Sequence, residues 1–171
     1  MTFVGETISV RSAVKEPDNE ELDALAARLA DSLRAGISEP APSLIEPSAF
    51  FKLGYGLYVL SARSGEKDNA CIINAAIQVT DTPKRLLVAV NKANVTHDMI
   101  VKTGLFNLSV LTEGAPFRLF RHFGFQSGRE ADKFGGFSHA ARSENGLYYL
   151  NKYTNAYFSC RVASSSDYGT H

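Results

Sequence analysis

Short apolar runs separated by turn-forming residues dominate the chain from residue 54 onward, a pattern typical of β-strands. Two short helices interrupt them, one at 96–102 that ends before Gly104 and one at 117–123 that is rich in aromatic residues. Hairpin turns are predicted at 64–68 and at Asn145-Gly146. The pattern predicts a mainly β fold with short helices, arranged as a small antiparallel barrel. The predicted strands lie at 57–62, 70–80, 86–90, 106–111 and 157–162.

The residues before this region have a different pattern. Residues 6–11 alternate polar and apolar side chains, as a half-buried strand does. A helix is predicted from Asp18, a capping residue, to Gly36, with its leucines on one face. One strand and one helix cannot bury such a face alone. Prolines then recur in 37–47, which is predicted to be a stiff linker before a main domain at 48–171.

Composition and charge narrow the class of protein. The chain has 171 residues with 18 basic and 18 acidic side chains, and 44% of its residues are hydrophobic. A net charge of zero argues against a general nucleic-acid binder, which carries a basic excess. No apolar run reaches the ~18 residues of a membrane helix, and the first residues do not resemble a signal peptide. We expect a cytoplasmic protein without membrane contact.

Several common sites are missing from the sequence. Cys71 and Cys160 stand alone without a CxxC pair, so we expect two reduced thiols and no metal site. There is no Gly-rich dinucleotide fingerprint, P-loop, HExxH pair or GxSxG elbow. A Rossmann domain, a P-loop nucleotide site, a zincin and an α/β-hydrolase are therefore not predicted.

The segment 91–98 is the first candidate for chemistry. It leaves a predicted strand and opens a predicted helix, and a helix N-terminus exposes unpaired amides that attract anions. Lys92, Thr96 and His97 add a cation, a hydroxyl and an imidazole. The segment predicts a phosphate cradle, and the alternative is a capped surface helix with solvated polar residues.

Two further segments combine polar and apolar residues. Asn74 and Gln78 are amides in an otherwise apolar run, and either a heterocyclic ligand or a neighbouring loop backbone would satisfy them. The segment 123–134 contains glycines that permit close backbone approach, and Phe123 and Phe125 are placed to flank a flat ring. Its charged residues either hold a ligand or pair with one another in a solvated loop.

Four motifs in order resemble one known family. They are 53–59 (LGYGLYV), 74–79 (NAAIQV), 94–98 (NVTHD) and 127–134 (SGREADKF). Together they are similar to the flavin reductase domains of the FMN-binding split-barrel family, and in particular to the flavin domain of high-molecular-weight rubredoxin and to flavoredoxin-like proteins. The resemblance covers about residues 48–171.

The resemblance implies an antiparallel split barrel that binds FMN, takes hydride from NAD(P)H and forms a homodimer. It implies that one segment lines the flavin ring, with Asn74 and Gln78 as polar contacts, and that a second segment holds the phosphate. The resemblance also implies that Phe125, Ser127 and Arg129 of the glycine loop contact the cofactor. The implied ring segment comprises Cys71, Ile72, Ile73, Asn74, Gln78, Val79 and Thr80, and the implied phosphate residues are Lys92, Asn94, Thr96 and His97.

Both ends of the chain bear on this resemblance. Residues 1–36 are similar to the last strand and helix of a flavodoxin-like domain, which flavodiiron proteins join to a flavin reductase domain. The alternative is an extension that packs on the barrel. The final Gly-Thr-His matches a family motif that leads into a further strand, so the resemblance implies that this strand is missing and that His171 lies near the flavin as a catalytic residue.

Three functions remain open at this point. The first is an NAD(P)H-dependent flavin reductase that passes electrons to free flavin or to a rubredoxin or flavodiiron-type partner. The second is an FMN electron-transfer module of a larger redox protein. The third is an incomplete barrel with a structural role. Neither NADH nor NADPH is favoured by the residues themselves.

Overall fold

The computed structural model describes residues 48–171, together with residues 23, 24, 27 and 46. The chain forms two compact units, Met1–Leu53 and Gly54–His171. Within the first unit, Asp23, Ala24 and Ala27 are helical, and a short 3-10 helix spans Ala49–Lys52. The predicted strand at 6–11, the rest of the predicted helix and nearly all of the linker lie outside the described residues. No helix in the described part of the chain is long and apolar enough to cross a bilayer.

Eight strands and two helices make up the second unit, which confirms the predicted mainly antiparallel β class. The first helix, α1, ends at Gly104, whose φ of 70° closes it as predicted. The elements in chain order are β1 (Tyr58–Ser64), β2 (Lys67–Ile73), β3 (Ala76–Thr80), β4 (Arg85–Val88), α1 (Val95–Thr103), β5 (Leu105–Leu111), α2 (Phe117–Gly124), β6 (Ala140–Arg142), β7 (Tyr148–Leu150) and β8 (Thr154–Arg161).

A four-stranded antiparallel sheet in the order β2-β1-β5-β8 forms the centre of the unit. The β1–β2 hairpin pairs Tyr58 with Ile73 and turns at Gly65, whose φ is 61°. Strand β5 then returns to the other side of β1, and β8 closes that side. Strand β2 is consequently an edge of this sheet, with one row of backbone groups that no strand pairs.

Two apolar clusters cover the opposite faces of this sheet, because side chains alternate along each strand. One contains Leu60 and Cys71 together with Met99 and Ile100 of α1. The other contains Val59 and Ala70 together with Leu119 and Phe123 of α2. The helices α1 and α2 therefore lie on opposite faces of the sheet, and the β2 edge lies between them.

The predicted strand at 70–80 is two strands in the structure. It breaks at Asn74 and Ala75, and β3 leaves the main sheet to pair with β4. A single apolar strand here would bury the amides of Asn74 and Gln78, but both side chains are exposed in the structure. The apolar residues before the break belong to the main sheet, and those after it belong to the β3–β4 sheet. The run is therefore apolar throughout although it forms two strands.

A third hairpin, β6–β7, is attached to the centre of the sheet by Asn107 of β5. The Asn107 side chain is fully buried and donates to the carbonyls of Leu147 at 3.1 Å and Tyr148 at 3.2 Å. Its oxygen accepts a bond from Asn145 Nδ2 at 2.8 Å. In the predicted Asn145-Gly146 turn, only Gly146 has a positive φ. Asn145 therefore contributes this hydrogen bond and does not adopt the left-handed conformation.

A candidate anion cavity at the edge of strand β2

The N-terminus of α1 forms one wall of a small cavity. Asn94 is the N-cap residue, with extended φ and ψ of −77° and 130°, and its side chain makes no capping bond. Amides in the first turn of a helix lack intrahelical partners and carry the positive end of the helix dipole. The prediction of a phosphate cradle in this segment rests on these amides.

Thr96 in this first turn is fully buried and contacts the edge strand. Its Oγ1 accepts a hydrogen bond from Asn69 Nδ2 at 3.1 Å. Asn69 is 2% exposed, and its Oδ1 is buried without a hydrogen-bond partner among the described residues. A buried amide oxygen of this kind is costly unless a ligand or a water donates to it.

The loop between α2 and β6 forms the opposite wall and covers the open edge of β2. Gly128 packs so closely on Asn69 that a Cβ at this position would overlap both terminal atoms of the Asn69 amide. The cavity between the loop and α1 measures about 50 Å³. It is lined by Asn69, Cys71, Ala93, Asn94, Val95, Thr96, Phe123, Gly124, Gln126, Ser127, Gly128 and Lys133, none of which is a carboxylate.

Lys133 supplies a buried positive charge to this cavity. It is 2% exposed, and its ammonium donates to the Ala70 carbonyl at 2.7 Å and the Phe123 carbonyl at 2.9 Å. The first acceptor lies on β2, and the second lies in the last turn of α2, where the helix dipole favours a cation. Burial lowers the pKa of Lys133 from its ordinary value, and the neighbouring Cys71 partly offsets this.

Of the two alternatives for the charged residues of this loop, pairing with one another does not apply to Lys133. Asp132 instead accepts bonds from the amides of Phe134 at 3.1 Å and Gly135 at 2.9 Å, and these bonds lower its pKa. The ammonium reaches the sheet edge because the loop folds inward at Lys133 and outward at Asp132. Two of the three ammonium protons are used by carbonyls, and the charge itself has no counter-ion in the cavity lining.

Cys71 is the buried thiol on this edge. Desolvation raises its pKa, while a hydrogen bond with Thr96 and the charge of Lys133 act in the opposite direction. The net rise keeps the side chain a neutral thiol at neutral pH. It therefore contributes a small apolar wall rather than a nucleophile or a metal ligand.

Four of the sequence-predicted site residues meet in this one cavity: Cys71, Asn94, Thr96 and Ser127. Lys92 and His97 lie in the same segment, but each side chain already contacts a carboxylate. The Lys92 ammonium contacts Asp167 Oδ2 at 2.8 Å, which lowers the pKa of that carboxyl, and His97 Nδ1 lies 3.0 Å from Asp98 Oδ1.

The end of the chain runs beside this segment. The Lys92 amide donates to the Thr170 carbonyl at 2.9 Å, and His171 Nδ1 lies 2.8 Å from Thr170 Oγ1. His171 itself is exposed. The predicted catalytic role of His171 stays a prediction, for which the structure supplies a position next to the predicted phosphate residues.

The remaining predicted residues do not line the cavity. Ile73 packs with α1 and Ile72 with the cluster on the α2 face. Phe125 and Arg129 are exposed beside the loop. Phe123 does form part of the cavity wall, but it is completely buried and is not available to flank a ligand ring. Four residues lie on the β3–β4 hairpin or immediately before it, namely Asn74, Gln78, Val79 and Thr80.

A larger concavity of about 460 Å³ lies on the other side of the loop. Its lining includes four carboxylates, those of Glu66, Asp68, Glu130 and Asp132, and one ammonium, that of Lys67. This charge repels a phosphate or any other anion, so the smaller cavity is the better anion site despite its size. Within the described residues, no group of three or more His, Cys, Asp or Glu side chains is arranged to hold a metal.

Sequence reasoning did not single out Asn69, and for Lys133 it left open whether the side chain holds a ligand or pairs within the loop. Asn69 resembles an ordinary polar residue after a turn, and Lys133 resembles a solvated loop residue. Their roles come from contacts over 27 and 63 residues of sequence separation. Only the two glycines of the loop indicated in advance that backbone would approach another element closely there.

The chain matches known proteins over this domain. Residues 50–171 match the family described as the flavin reductase like domain. The chain is 39% identical over 127 residues to a high molecular weight rubredoxin of Moorella thermoacetica, covering 74% of this chain and 55% of that protein. It is 31% identical over 127 residues to the ferric-chelate reductase (NAD(P)H) of Archaeoglobus fulgidus, covering 74% of this chain and 75% of that protein.

Solved structures have the same fold. A flavoredoxin from Methanosarcina acetivorans superposes with a TM-score of 0.65 at 24% identity, covering 76% of this chain and 69% of that one. An FMN-binding protein from Thermus thermophilus gives 0.66 at 21% identity, with 78% and 74% covered. The chain spans about half of the rubredoxin relative and only 23% of a putative diflavin flavoprotein of Synechocystis. The family match and the relatives confirm the resemblance carried by the four motifs, and the chain belongs to the flavin reductase like domain family.

Proposed function

We propose that this chain binds FMN and transfers hydride from NAD(P)H to flavin, with the electrons passed on to a redox carrier or to free flavin. The observation that carries the proposal is the cavity at the β2 edge. There the amide end of α1, the Lys133 ammonium and the hydroxyls of Thr96 and Ser127 converge without any carboxylate in the lining. This is an anion site in a domain of the flavin reductase family.

The cavity fits the phosphate end of FMN. A phosphate monoester is an anion with acceptor oxygens, which match the donors of α1, Thr96 and Ser127. The ribityl chain next to it carries hydroxyl donors, which match the unpartnered Asn69 Oδ1. A volume of about 50 Å³ suits a phosphate group rather than a tricyclic ring, so the ring extends beyond the cavity.

The residues of the chain hold and orient the cofactor. When bound, FMN supplies the hydride and electron chemistry. Thr96 and Ser127 donate to the phosphate, and Asn69 fixes the Thr96 hydroxyl. The segment from Cys71 to Thr80 contacts the ring in this proposal, with the exposed Asn74 and Gln78 amides free to meet it. His171 and Lys92 close the site from the C-terminal side.

The relatives support the electron donor and the electron acceptor of this proposal. The ferric-chelate reductase relative is named for NAD(P)H, and we extend this donor to the present chain. The similarity to a rubredoxin and to diflavin flavoproteins supports a rubredoxin or flavodiiron-type redox partner. The flavodoxin-like tail predicted at 1–36 belongs to the same proposal.

The similarity to longer redox proteins also favours a second candidate function. The chain would then be an FMN electron-transfer module without an efficient nicotinamide reaction of its own, since it spans only part of the rubredoxin and diflavin relatives. The two functions differ in the source of the electrons and share the FMN site.

Anaerobic mixing of the FMN-loaded chain with NADH or with NADPH separates the two functions. The reductase predicts that one or both nucleotides bleach the flavin absorbance with stoichiometric loss of the nicotinamide absorbance. Bleaching by dithionite but by neither nucleotide would contradict the reductase and support the electron-transfer module. Comparison of the two nucleotides also determines the donor preference.

A homodimer is part of the proposal. Ile77, Val79 and Leu87 on the β3–β4 hairpin are 61%, 54% and 52% exposed, and Ile77 pairs directly with Leu87. Such an apolar surface is typical of a contact with another protein surface, and a second copy of the chain is the occupant that we propose.

A cytoplasmic location is also proposed, and the free thiols of Cys71 and Cys160 suit a reducing compartment.

A further inference from the structure

The outward surface of α2 is both aromatic and basic. Phe117, Arg121 and Phe125 are spaced four residues apart, so they share one side of the helix. Phe117 is 68% exposed and Phe125 is 71% exposed, and Arg118 and Arg121 are exposed beside them. Together with Lys152, these residues are called the α2 face. The inward side of the same helix carries Leu119 and Phe123, so the exposed aromatics are not required for the core.

The charges of the α2 face are not neutralised locally. Among the described residues, no carboxylate forms an ion pair with Arg118, Arg121 or Lys152. Arg118 donates instead to the Tyr153 hydroxyl at 3.4 Å, and the Lys152 ammonium lies 5.2 Å from the centre of the Tyr153 ring. The chain as a whole has zero net charge, so the basic residues of this surface are clustered rather than part of a general positive charge.

The two exposed aromatics form a fixed pair. The rings of Phe117 and Phe125 meet edge to face with their centres 6.0 Å apart. Exposed aromatic rings next to arginines are typical of the hot spots of protein interfaces. The surface therefore combines an apolar anchor with a basic surround, which complements an acidic partner surface that has an apolar centre.

The α2 face lies next to the proposed flavin site. The helix ends at Gly124, and Gly124 and Gln126 line the anion cavity on either side of Phe125. A protein bound at Phe125 therefore lies beside the proposed phosphate site. A Cβ at the neighbouring Gly124 would lie only 3.3 Å from Ile72 Cγ1, in the segment proposed to contact the flavin ring. The corresponding basic residue of α1, Lys102, lies on the opposite side of the sheet.

We propose that the α2 face is the docking surface for a small one-electron carrier protein with an acidic surface around its iron centre. The proposal rests on the proposed flavin reductase function. One hydride from NAD(P)H carries two electrons, so two ferric carriers are reduced to the ferrous state in turn, and one proton is released to the solvent. Each carrier binds at Phe117 and Phe125 and is steered there by Arg118, Arg121 and Lys152.

The test is binding between the FMN-loaded chain and an oxidised rubredoxin of net negative charge. Binding needs no electron transfer, so it is measured separately from flavin reduction. We expect saturable binding that weakens at least tenfold when ionic strength rises from about 0.01 M to about 0.15 M, where the Debye length falls from about 30 Å to about 8 Å. The double variant Arg118→Glu/Arg121→Glu should lose tenfold or more in affinity, and Lys102→Glu should stay within twofold of wild type.

Several results would overturn the docking proposal. One is equal affinity of the double variant and the wild type, and another is tighter binding of basic cytochrome c than of the rubredoxin. Conversion of a dimer to monomers by the double variant, seen by sedimentation, would show that the α2 face contacts a second copy. Binding to phosphatidylserine vesicles in place of the rubredoxin would show a membrane-facing surface. A failure of NAD(P)H to bleach the flavin would contradict the reductase function instead. It is measured separately from binding, so the two failures are distinguishable.

Discussion

Lys133 is the one charged side chain that is buried among the residues that the structure describes. Its ammonium is removed from water and satisfied by two backbone carbonyls, one from β2 and one from the last turn of α2. A charge in this position is costly to bury, and its pKa is lowered for that reason. The arrangement holds the loop against the sheet edge and adds positive charge to the cavity.

Replacing this residue tests its contribution to stability. Lys133→Met removes a charged donor from two buried carbonyls, so we expect a loss of about 2 kcal/mol in the free energy of unfolding. Urea denaturation measures the change. Lys67→Met is the matched control, because Lys67 is exposed and donates only to the Arg129 carbonyl at 3.3 Å. Its effect should stay within about 0.5 kcal/mol.

A comparison of the wild type with Lys133→Met also tests how stability depends on pH. The pKa of Lys133 is lowered in the folded state, so the unfolded chain binds this proton more tightly. The stability of the wild type should therefore rise as the pH passes from the lowered pKa towards the ordinary value of 10.5. Lys133→Met should lack this contribution. Identical pH profiles for the two proteins would show that Lys133 is not charged and buried as described.

At the scale of elements, the loop between α2 and β6 performs the task that a further strand would perform at the β2 edge. It covers the edge with Lys133 and presses Gly128 against Asn69. Local pattern was sufficient to predict β1, β5 and the end of α1 at Gly104, since alternation and a left-handed glycine are local properties. It was insufficient for the break at Asn74 and for the inward Lys133, because these depend on which distant element each residue meets.

Gly128→Ala tests the close approach of loop and strand. The added Cβ overlaps the Asn69 amide, which Thr96 holds in place, so the loop or the amide must move. We expect a destabilisation of about 1–3 kcal/mol and weaker FMN binding, measured by urea denaturation and flavin fluorescence. Gly114→Ala is the control, because its Cβ meets only Thr112 Oγ1 at 3.7 Å. Equal effects of the two substitutions would contradict the packing described for Gly128.

At the scale of the whole molecule, apolar residues are exposed where the proposed second copy would bind. Ile77→Glu places a charge in the centre of the hairpin surface and should convert the dimer to monomers in sedimentation equilibrium. Val101→Glu is the matched control, because Val101 is 66% exposed and belongs to α1 rather than to the hairpin. A wild-type chain that is monomeric at all concentrations, or an Ile77→Glu variant that stays dimeric, would contradict the proposed interface.

The central claim is that the cavity between α1 and the glycine loop holds the phosphate of FMN. The most direct measurement is the dissociation constant for FMN, from quenching of flavin fluorescence, in Thr96→Val and in Thr103→Val. Both substitutions remove a hydroxyl from α1 at constant size, but only Thr96 lines the cavity, while Thr103 donates to the Met99 carbonyl at 2.8 Å. We predict about tenfold weaker binding, near 1.4 kcal/mol, for Thr96→Val alone. Unchanged FMN affinity in Thr96→Val, with the fold intact by circular dichroism, would contradict the assignment of this cavity to the cofactor.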